Sequence, residues 1–517
     1  MNNKESNLIL IIDFGSQYTQ LIARRVRESG VYSVVKSHMI TKKDFNSLNP
    51  NGIILSGGPN SVTSINKYKL PSFVFKSNVP ILGICYGMQL VADYFGGKVS
   101  PSSKKEFGHA IFKVNSSNSL FKNIKDNSEF NVWMSHSDKV IKNPSGFKNI
   151  GSSDNTKNAA IYNEKKKIYC LQFHPEVTHT KNGKKIITNF IYEVCGCSKS
   201  WTTSSIIKDI VKSLQHKVGD KKVILALSGG VDSTVVAALL NKALPKQLTC
   251  VFIDTGLLRK QEVAEVQYNI SKKLGIKLVT IDAQVKFFKK LKGVINPEKK
   301  RKIIGETFIR LFEAHANKIK NIDYLAQGTI YPDIIESSSK DSKSDIIKSH
   351  HNVGGLPKRM KFKLVEPIKM LFKDEVRRIG KALKIPVNLI ERHPFPGPGL
   401  AVRIIGEVSK DKVTILQEVD SIFIEELRKN NLYTKISQAL AVFLPIKSVG
   451  VMGDQRQYSY VVALRAVKTI DFMTASVSEI PYKILNTIST RIVNEVVGVS
   501  RVVYDITNKP PGTIEWE

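Results

Sequence analysis

The sequence predicts an α/β protein with two doubly wound α/β domains followed by a smaller α+β C-terminal domain. Three observations carry this. The chain is 517 residues long, enough for two to four domains at roughly 150 residues each. Short apolar strands alternate with helical stretches in two separate runs. Segments rich in turn-forming residues interrupt the pattern twice. The divisions predicted are 1–198, 199–396 and 397–517.

In the first run, Leu8–Asp13, Gly52–Leu55, 79–84 and 168–173 read as strands. The polar stretch 197–205 reads as a linker. A second run follows with strands at 221–227, 249–254, 277–282 and 323–327. Segment 392–400 holds three prolines and two glycines and marks the second division. Beyond it an alternating strand at 458–464 and a helix at Tyr482–Glu495 suit a mixed domain. Residues 337–348, rich in Ser, Lys and Asp, read as a mobile loop.

Composition narrows the class. The apolar fraction of 42% and the charged fraction of 24% are ordinary for a globular protein. No apolar run approaches the roughly 18 residues of a membrane span, and the run at Leu8–Ile12 is too short for a secretory leader. A cytoplasmic protein without membrane contact is expected. Five cysteines give no disulfide framework, and Cys195 and Cys197 lack further metal ligands nearby. The net charge of +33 comes mostly from lysines spread along the chain. Genome base composition accounts for such a bias without polynucleotide binding, and anionic small substrates would still be drawn in. No nucleic-acid partner is expected.

Gly83-Ile-Cys85-Tyr-Gly87 follows an apolar strand and opens a helix. A Gly-x-nucleophile-x-Gly turn holds a nucleophile on a tight strand-to-helix elbow, and a helix N-terminus favours thiolate. A buried structural cysteine is the plain alternative. Phe173-His174-Pro-Glu176 ends another strand. A thiol needs a base, and the base needs an orienting group; His174 and Glu176 have those side chains. Leu55-Ser-Gly57-Gly58-Pro59 offers backbone N–H groups for a developing oxyanion, with the N–H of Tyr86 as partner. Together these segments resemble the class I glutamine amidotransferases over about the first 195 residues. The resemblance implies that Cys85 attacks a glutamine amide, and that Gln89, Ser135 and His136 contact glutamine. His136 is a rival base; His174 is preferred because only it has an acid close by in sequence.

Ser228-Gly229-Gly230-Val231-Asp232-Ser233 lies between an apolar strand and a helix. Such a loop presents N–H groups and a helix dipole to phosphate. No Walker loop occurs in the chain. Ser228 and Ser233 can donate to phosphate, and Asp232 can hold Mg2+ that arrives with ATP. The string resembles the loop of the N-type ATP pyrophosphatases, which implies cleavage of ATP between its α and β phosphates. It further implies that Val251 borders adenine and that Lys373 faces phosphate, although Lys373 also reads as a solvated helix residue.

The strings Leu325-Ala-Gln-Gly-Thr-Ile-Tyr-Pro-Asp-Ile-Ile-Glu-Ser337, His350-His-Asn-Val-Gly-Gly-Leu-Pro357, Arg392-His-Pro-Phe-Pro-Gly-Pro-Gly-Leu-Ala-Val-Arg403 and Lys509-Pro-Pro-Gly-Thr-Ile-Glu515-Trp-Glu517 extend the likeness. Over essentially the whole chain they resemble the family of glutamine-hydrolysing GMP synthetases. That resemblance implies the substrates glutamine, ATP and XMP. It places Gln438, Asp454, Lys509 and Glu515 around XMP, and Asp333 and Glu336 near the reacting centre. The anionic XMP needs fixed cations, for which Arg301, Arg456 and Lys509 are candidates; singly, each of these also reads as half of a surface ion pair. Gln455 departs from the glycine many relatives carry there. Residues 337–357 are expected to form a lid. The C-terminal domain is expected to form a homodimer that closes the XMP site.

Three other classes fit the residues less well. An NAD synthetase shares the Ser-Gly-Gly loop but not the Cys85 elbow or the Glu515-Trp-Glu517 tail. An RNA thiolase usually needs further cysteines, and beyond residue 197 only Cys250 remains. A scaffold protein would not need Cys85, His174, Glu176 and Asp232 together.

Overall fold

The computed structural model describes residues 7–319, 322–338, 362–452, 454–469, 472 and 474–517, without the side chains of 335–338 and 452. The 339–357 part of the expected lid lies outside the described residues. The chain divides into two compact units, Met1–Ile206 and Ile207–Glu517.

In the first unit the strands are β1 (Leu8–Asp13), β2 (Tyr32–Ser37), β3 (Gly52–Leu55), β4 (Ile81–Ile84), β5 (Lys98–Val114), β6 (Glu129–Lys142), β7 (Lys148–Ser153), β8 (Ala160–Asn163) and β9 (Ile168–Leu171). They form one sheet in the order β2-β1-β3-β4-β9-β8-β7-β5-β6. The half from β2 to β9 is parallel, and β8, β7, β5 and β6 add antiparallel pairs. The parallel strands are continuous apolar runs because both their faces are covered: Ile9 to Ile12, Ile53 to Leu55 and Ile81 to Ile84 are buried. Neither β5 nor β6 was foreseen as a strand.

The second unit opens with an all-parallel sheet, β10 (Lys222–Ala226), β11 (Leu248–Asp254), β12 (Leu278–Asp282), β13 (Ile322–Ala326) and β14 (Lys363–Val365), ordered β12-β11-β10-β13-β14. The neighbours of β10 lie on opposite sides of it, so the loop after β10 sits where the strand order reverses, the usual ligand crevice of open α/β sheets. A second sheet joins β15 (Gln438–Met452), β16 (Gln455–Lys468), β17 (Ser476–Val477) and β18 (Val499–Tyr504).

Segment 392–400 was expected to break regular structure and mark a domain boundary. It does break regular structure, but one core runs through it. Leu400 and Ala401 pack with Ile224, Val251 and Leu325 of the parallel sheet and with Leu416, Phe443 and Ile488 of the C-terminal elements. The segment 197–205 is also tighter than a free linker. The N–H groups of Ser200 and Trp201 donate to Gly30 O at 3.0 and 2.8 Å, Trp201 stacks on Tyr32, and a helix starts at Thr203.

Candidate active sites

The first site grows from strand register. β4 pairs with β9 in parallel, Ile84 opposite Leu171, and Cys85 N donates to Leu171 O at 2.7 Å. Residues just past the two strands therefore meet. Cys85 takes φ +52° and ψ −106° before the helix Tyr86–Tyr94. A side chain held at positive φ is strained by about 1–3 kcal/mol, and surrounding structure must enforce it. Here the close approach of strand and helix does so: a Cβ on Gly83 would stand 2.9 Å from the backbone of Gly87.

His174 Nδ1 lies 2.7 Å from Glu176 Oε1, with both side chains buried. Burial alone would lower the His174 imidazole, but Glu176 and Cys85 outweigh it and hold it well above an ordinary histidine. The turn is pinned by His174 N to Trp133 O at 2.9 Å and by Thr180 Oγ1 to His174 O at 2.7 Å. Gly57 sits between His174 and Cys85; a Cβ there would stand 3.0 Å from His174 Cε1 and 3.7 Å from Cys85 Cβ. Gly58 is pressed against Phe14, whose carbonyl would be 2.7 Å from an added Cβ. Tyr86 begins the helix, where N–H groups have no intrahelical acceptor. Cys85 Sγ donates to Ser135 O at 3.4 Å, and Gln89 Nε2 to Asp138 O at 2.8 Å.

A nearby acid does not distinguish His174 from His136. His136 has an acid as well: Glu106 Oε2 lies 3.0 Å from His136 Nε2. It stands thirty residues earlier in sequence, on the paired strand. What separates the two histidines is proximity to Cys85: a Cβ added at Gly57 would touch both the His174 ring and Cys85 Cβ, and Cys85 helps raise the His174 imidazole.

The second site is the Ser228–Ser233 loop at the end of β10. Ser228 and Ser233 hold each other, Oγ to Oγ at 3.0 Å, and Ser233 Oγ also donates to Gly230 O at 3.1 Å. Gly229 takes φ +76°. Its carbonyl accepts from Arg392 Nη1 at 3.3 Å, and Arg392 Nη2 pairs with the buried Glu262 at 2.6 Å. The carbonyl is thus turned outward and braced. Val231 and Asp232 open the helix Val231–Ala243. Lys373 Nζ donates to Asp232 Oδ2 at 2.6 Å, while Asp232 Oδ1 is buried without a partner among the described residues. An orphaned buried carboxylate oxygen at a phosphate loop suits Mg2+, which binds through one or two carboxylates plus substrate phosphates. Val251 does not offer its side chain, which is fully buried in the core; its carbonyl accepts from Leu227 N at 2.9 Å.

Of the acceptor-site residues, some converge. Gln438 Nε2 donates to Glu515 Oε1 at 2.7 Å, and Arg403 holds the same carboxylate through Nε and Nη2 at 2.9 and 2.8 Å. Arg301 donates to the Glu517 carbonyl, and the buried Lys300 pairs with the Glu517 side chain. Lys509 Nζ donates to Phe472 O at 2.7 Å. Asp333 Oδ2 accepts from Ile330 N at 2.9 Å, bracing the start of its own helix. Glu336 lies in that helix, its side chain outside the described residues. Asp454 and Arg456 are not brought to this cluster. They lie exposed where β15 turns into β16, thirteen residues or more along the hairpin from Gln438, on the order of 40 Å at about 3.4 Å per residue. Arg403 and Glu517 stood in the sequence only within longer strings, and Lys300 only beside Arg301; none had been given a role.

A strained cysteine elbow with a buried His–Glu pair on one sheet, and a serine-glycine phosphate loop on another, define a class I glutamine amidotransferase joined to an ATP-pyrophosphatase-type synthetase. The family described as "Glutamine amidotransferase class-I" matches residues 10–194, "NAD synthase" residues 203–308 and "GMP synthase C terminal domain" residues 425–516. A GMP synthase (glutamine-hydrolyzing) of Vibrio vulnificus (strain YJ016) is 55% identical over 516 residues, covering 100% of this chain and 99% of that relative. Those of Vibrio cholerae serotype O1 (strain M66-2) and Marinobacter nauticus are each 54% identical with the same coverage. The chain belongs to the family of glutamine-hydrolyzing GMP synthases. The NAD synthase match is confined to the phosphate-loop region, and relatives covering the full length decide against that alternative.

Proposed function

We propose that this chain makes GMP through a division of labour between the two sites. XMP, ATP, glutamine and water become GMP, AMP, pyrophosphate and glutamate. In the first unit Cys85 Sγ attacks the glutamine amide carbon. His174, oriented by Glu176, carries the thiol proton to the leaving nitrogen, so ammonia departs and a glutamyl thioester remains for water to open. The N–H groups of Tyr86 and of Gly57 or Gly58 are suited to the oxyanion. Glutamine lies along Gln89, Ser135 and His136.

In the second unit the amides and hydroxyls of Ser228–Ser233 cradle the ATP phosphates and Lys373 adds positive charge. Mg2+ held with ATP by Asp232 supplies charge neutralisation. An oxygen of the xanthine ring attacks the α-phosphorus and pyrophosphate leaves. Ammonia then adds at the adenylylated carbon and AMP departs, a far better leaving group than the unactivated oxygen. Gln438, Lys509, Glu515 and Arg301 are the groups assigned to XMP. Asp333 and Glu336 are kept as supporting acids.

A second copy of the chain fits the remaining residues. Asp454 and Arg456 reach acceptor chemistry only if the hairpin crosses to a partner. Its outer half exposes Ile446, Val449, Val451 and Tyr458, each more than half exposed, an apolar strip of the kind that marks an interface. We therefore assign 397–517 to dimerisation and the XMP site, 199–396 to ATP and 1–198 to glutamine, in a cytoplasmic enzyme. Among the described residues no helix is long and apolar enough to cross a membrane.

The observation that carries the reading is the presence of both sites, with the Cys85–His174–Glu176 geometry intact, in one chain similar to GMP synthases along its full length. The test is stoichiometry: with XMP, Mg-ATP and glutamine, one AMP, one pyrophosphate and one glutamate should form per GMP. Formation of ADP and phosphate would contradict it.

A further inference from the structure

Glu106 is a buried acid that the chemistry above leaves unused. It stands on β5 opposite His136 on β6 in the antiparallel ladder, and its side chain is 6% exposed. Its Oε1 accepts from Ser153 Oγ at 3.1 Å, and its Oε2 from Thr156 Oγ1. The same Oε2 lies 3.0 Å from His136 Nε2, close enough for an ion pair but turned out of line for a linear hydrogen bond. Burial alone would raise this carboxyl; His136 and the hydroxyls outweigh it and hold it below the usual glutamate value.

Across the ring, His136 Nδ1 bonds the Asp138 carbonyl at 3.0 Å, and Gln89 Nε2 donates to the same oxygen at 2.8 Å. The residue before His136 is Ser135, whose carbonyl accepts from Cys85 Sγ. A line of contacts thus runs from Ser153 and Thr156 through Glu106, His136 and Asp138 to Gln89. It passes one residue from the carbonyl that touches the nucleophile. An imidazole ring braced on both sides fixes the backbone that carries it. Without the Glu106 carboxylate the outer side of His136 loses its charged partner, and the wall from Ser135 to Asp138 is freer to shift. Misplacement by about an ångström is costly where a substrate amide must meet a thiol at attack distance.

We propose that Glu106 is a positioning residue of the glutaminase site. Through His136 it sets the wall against which glutamine is held, and it takes no part in making or breaking bonds. The proposal rests on the reading of the Cys85 site as a glutaminase and deepens it.

The experiment uses the full chain and Glu106→Gln, which removes the charge and keeps the shape. Glutamine-dependent and ammonium-dependent GMP formation are measured together with two covalent reactions of Cys85. One reagent is the glutamine-shaped 6-diazo-5-oxonorleucine, and the other is iodoacetamide, which needs no glutamine pocket. The expected result is a KM for glutamine raised about tenfold, the scale of losing one interaction with a charged group, with kcat within about threefold of the parent. Half-saturation by the diazo reagent should rise in parallel, while iodoacetamide labelling and the ammonium-dependent rate stay put. An unchanged glutamine KM, or equal losses in all four measurements, overturns the proposal. Should Glu106→Gln fail to fold, Ser153→Ala removes one donor to the same carboxylate and should raise the glutamine KM about threefold; no change there is equally fatal. A wild-type chain that uses ammonium but not glutamine would sink the glutaminase reading itself, and the proposal with it.

Discussion

Lys373 Nζ donates to Asp232 Oδ2 at 2.6 Å, so the cation assigned to phosphate and the carboxylate assigned to Mg2+ form one pair at the mouth of the phosphate loop. Lys373 begins the helix Lys373–Ala382, and Asp232 lies in the first turn of Val231–Ala243. Two helix starts thus converge on a place suited to a polyanion. Lys373→Met should lower AMP formation about a hundredfold, the usual scale for losing a group that stabilises transition-state charge. The loss should be equal with glutamine and with ammonium. A loss confined to the glutamine reaction would move Lys373 out of the ATP site.

Glu176 is fully buried, and its only described hydrogen-bonding side-chain neighbour is His174. Its charge helps keep the His174 imidazole protonated. Glu176→Gln should therefore lower the His174 pKa, because the anion that raised it is gone. The donor proton needed by the leaving ammonia is then lost at lower pH. The alkaline limb of glutaminase activity should move to lower pH, with kcat at its maximum reduced. The stability that His174 contributes is complete below the ordinary histidine range and fades as pH rises through the raised value; in Glu176→Gln that dependence should flatten. An alkaline limb that stays in place would contradict the assigned role.

A Cβ added at Gly57 would stand 3.0 Å from His174 Cε1, so the imidazole would have to shift by a few tenths of an ångström, and 3.7 Å from Cys85 Cβ, an ordinary contact. Gly57→Ala should cut glutamine-dependent turnover by about a hundredfold through misplacement of the base, and leave ammonium-dependent synthesis within twofold. Parity between the two rates would mean that the oxyanion loop has been misread.

The Lys300 side chain is 0% exposed and pairs with Glu517, 7% exposed. Burial lowers the Lys300 pKa and Glu517 partly restores it. Removing one partner of a buried pair typically costs about 3–5 kcal/mol. Glu517→Ala should lower the stability of the second unit by about that amount in a urea titration and raise the KM for XMP, because Glu515 lies two residues away. A variant as stable as the parent would show that the tail is not latched by this pair.

How much of this was readable beforehand follows from range. The Cys85 elbow, the His174–Glu176 pair and the Ser228–Ser233 loop are local strings. Their apolar strands were placed within one or two residues at β1, β3, β4, β9, β10, β11, β12 and β13. Of the long ribbons only 458–464, within β16, was read as strand. β5 passes through Ser-Pro-Ser-Ser-Lys-Lys, a loop-like run that becomes strand only because β6 pairs with it. β15 contains Pro445 at the bulge between Leu444 and Lys447, and it changes from a buried first half to an exposed second half, so no single period marks it. Contacts such as Glu106 with His136, or Lys300 with Glu517, exist only through such pairings. The acceptor site depends on contacts of this kind. Family strings named its residues, but the strand geometry showed that Asp454 and Arg456 stand apart from Gln438 and Glu515.

The central claim, that Cys85 supplies ammonia to a synthetase able to take it from elsewhere, is tested most directly by one variant. Cys85→Ala should abolish GMP formation from glutamine while ammonium-dependent formation stays within twofold of the parent. Glutamine-dependent activity that survives, or ammonium-dependent activity that vanishes in a folded protein, would contradict it.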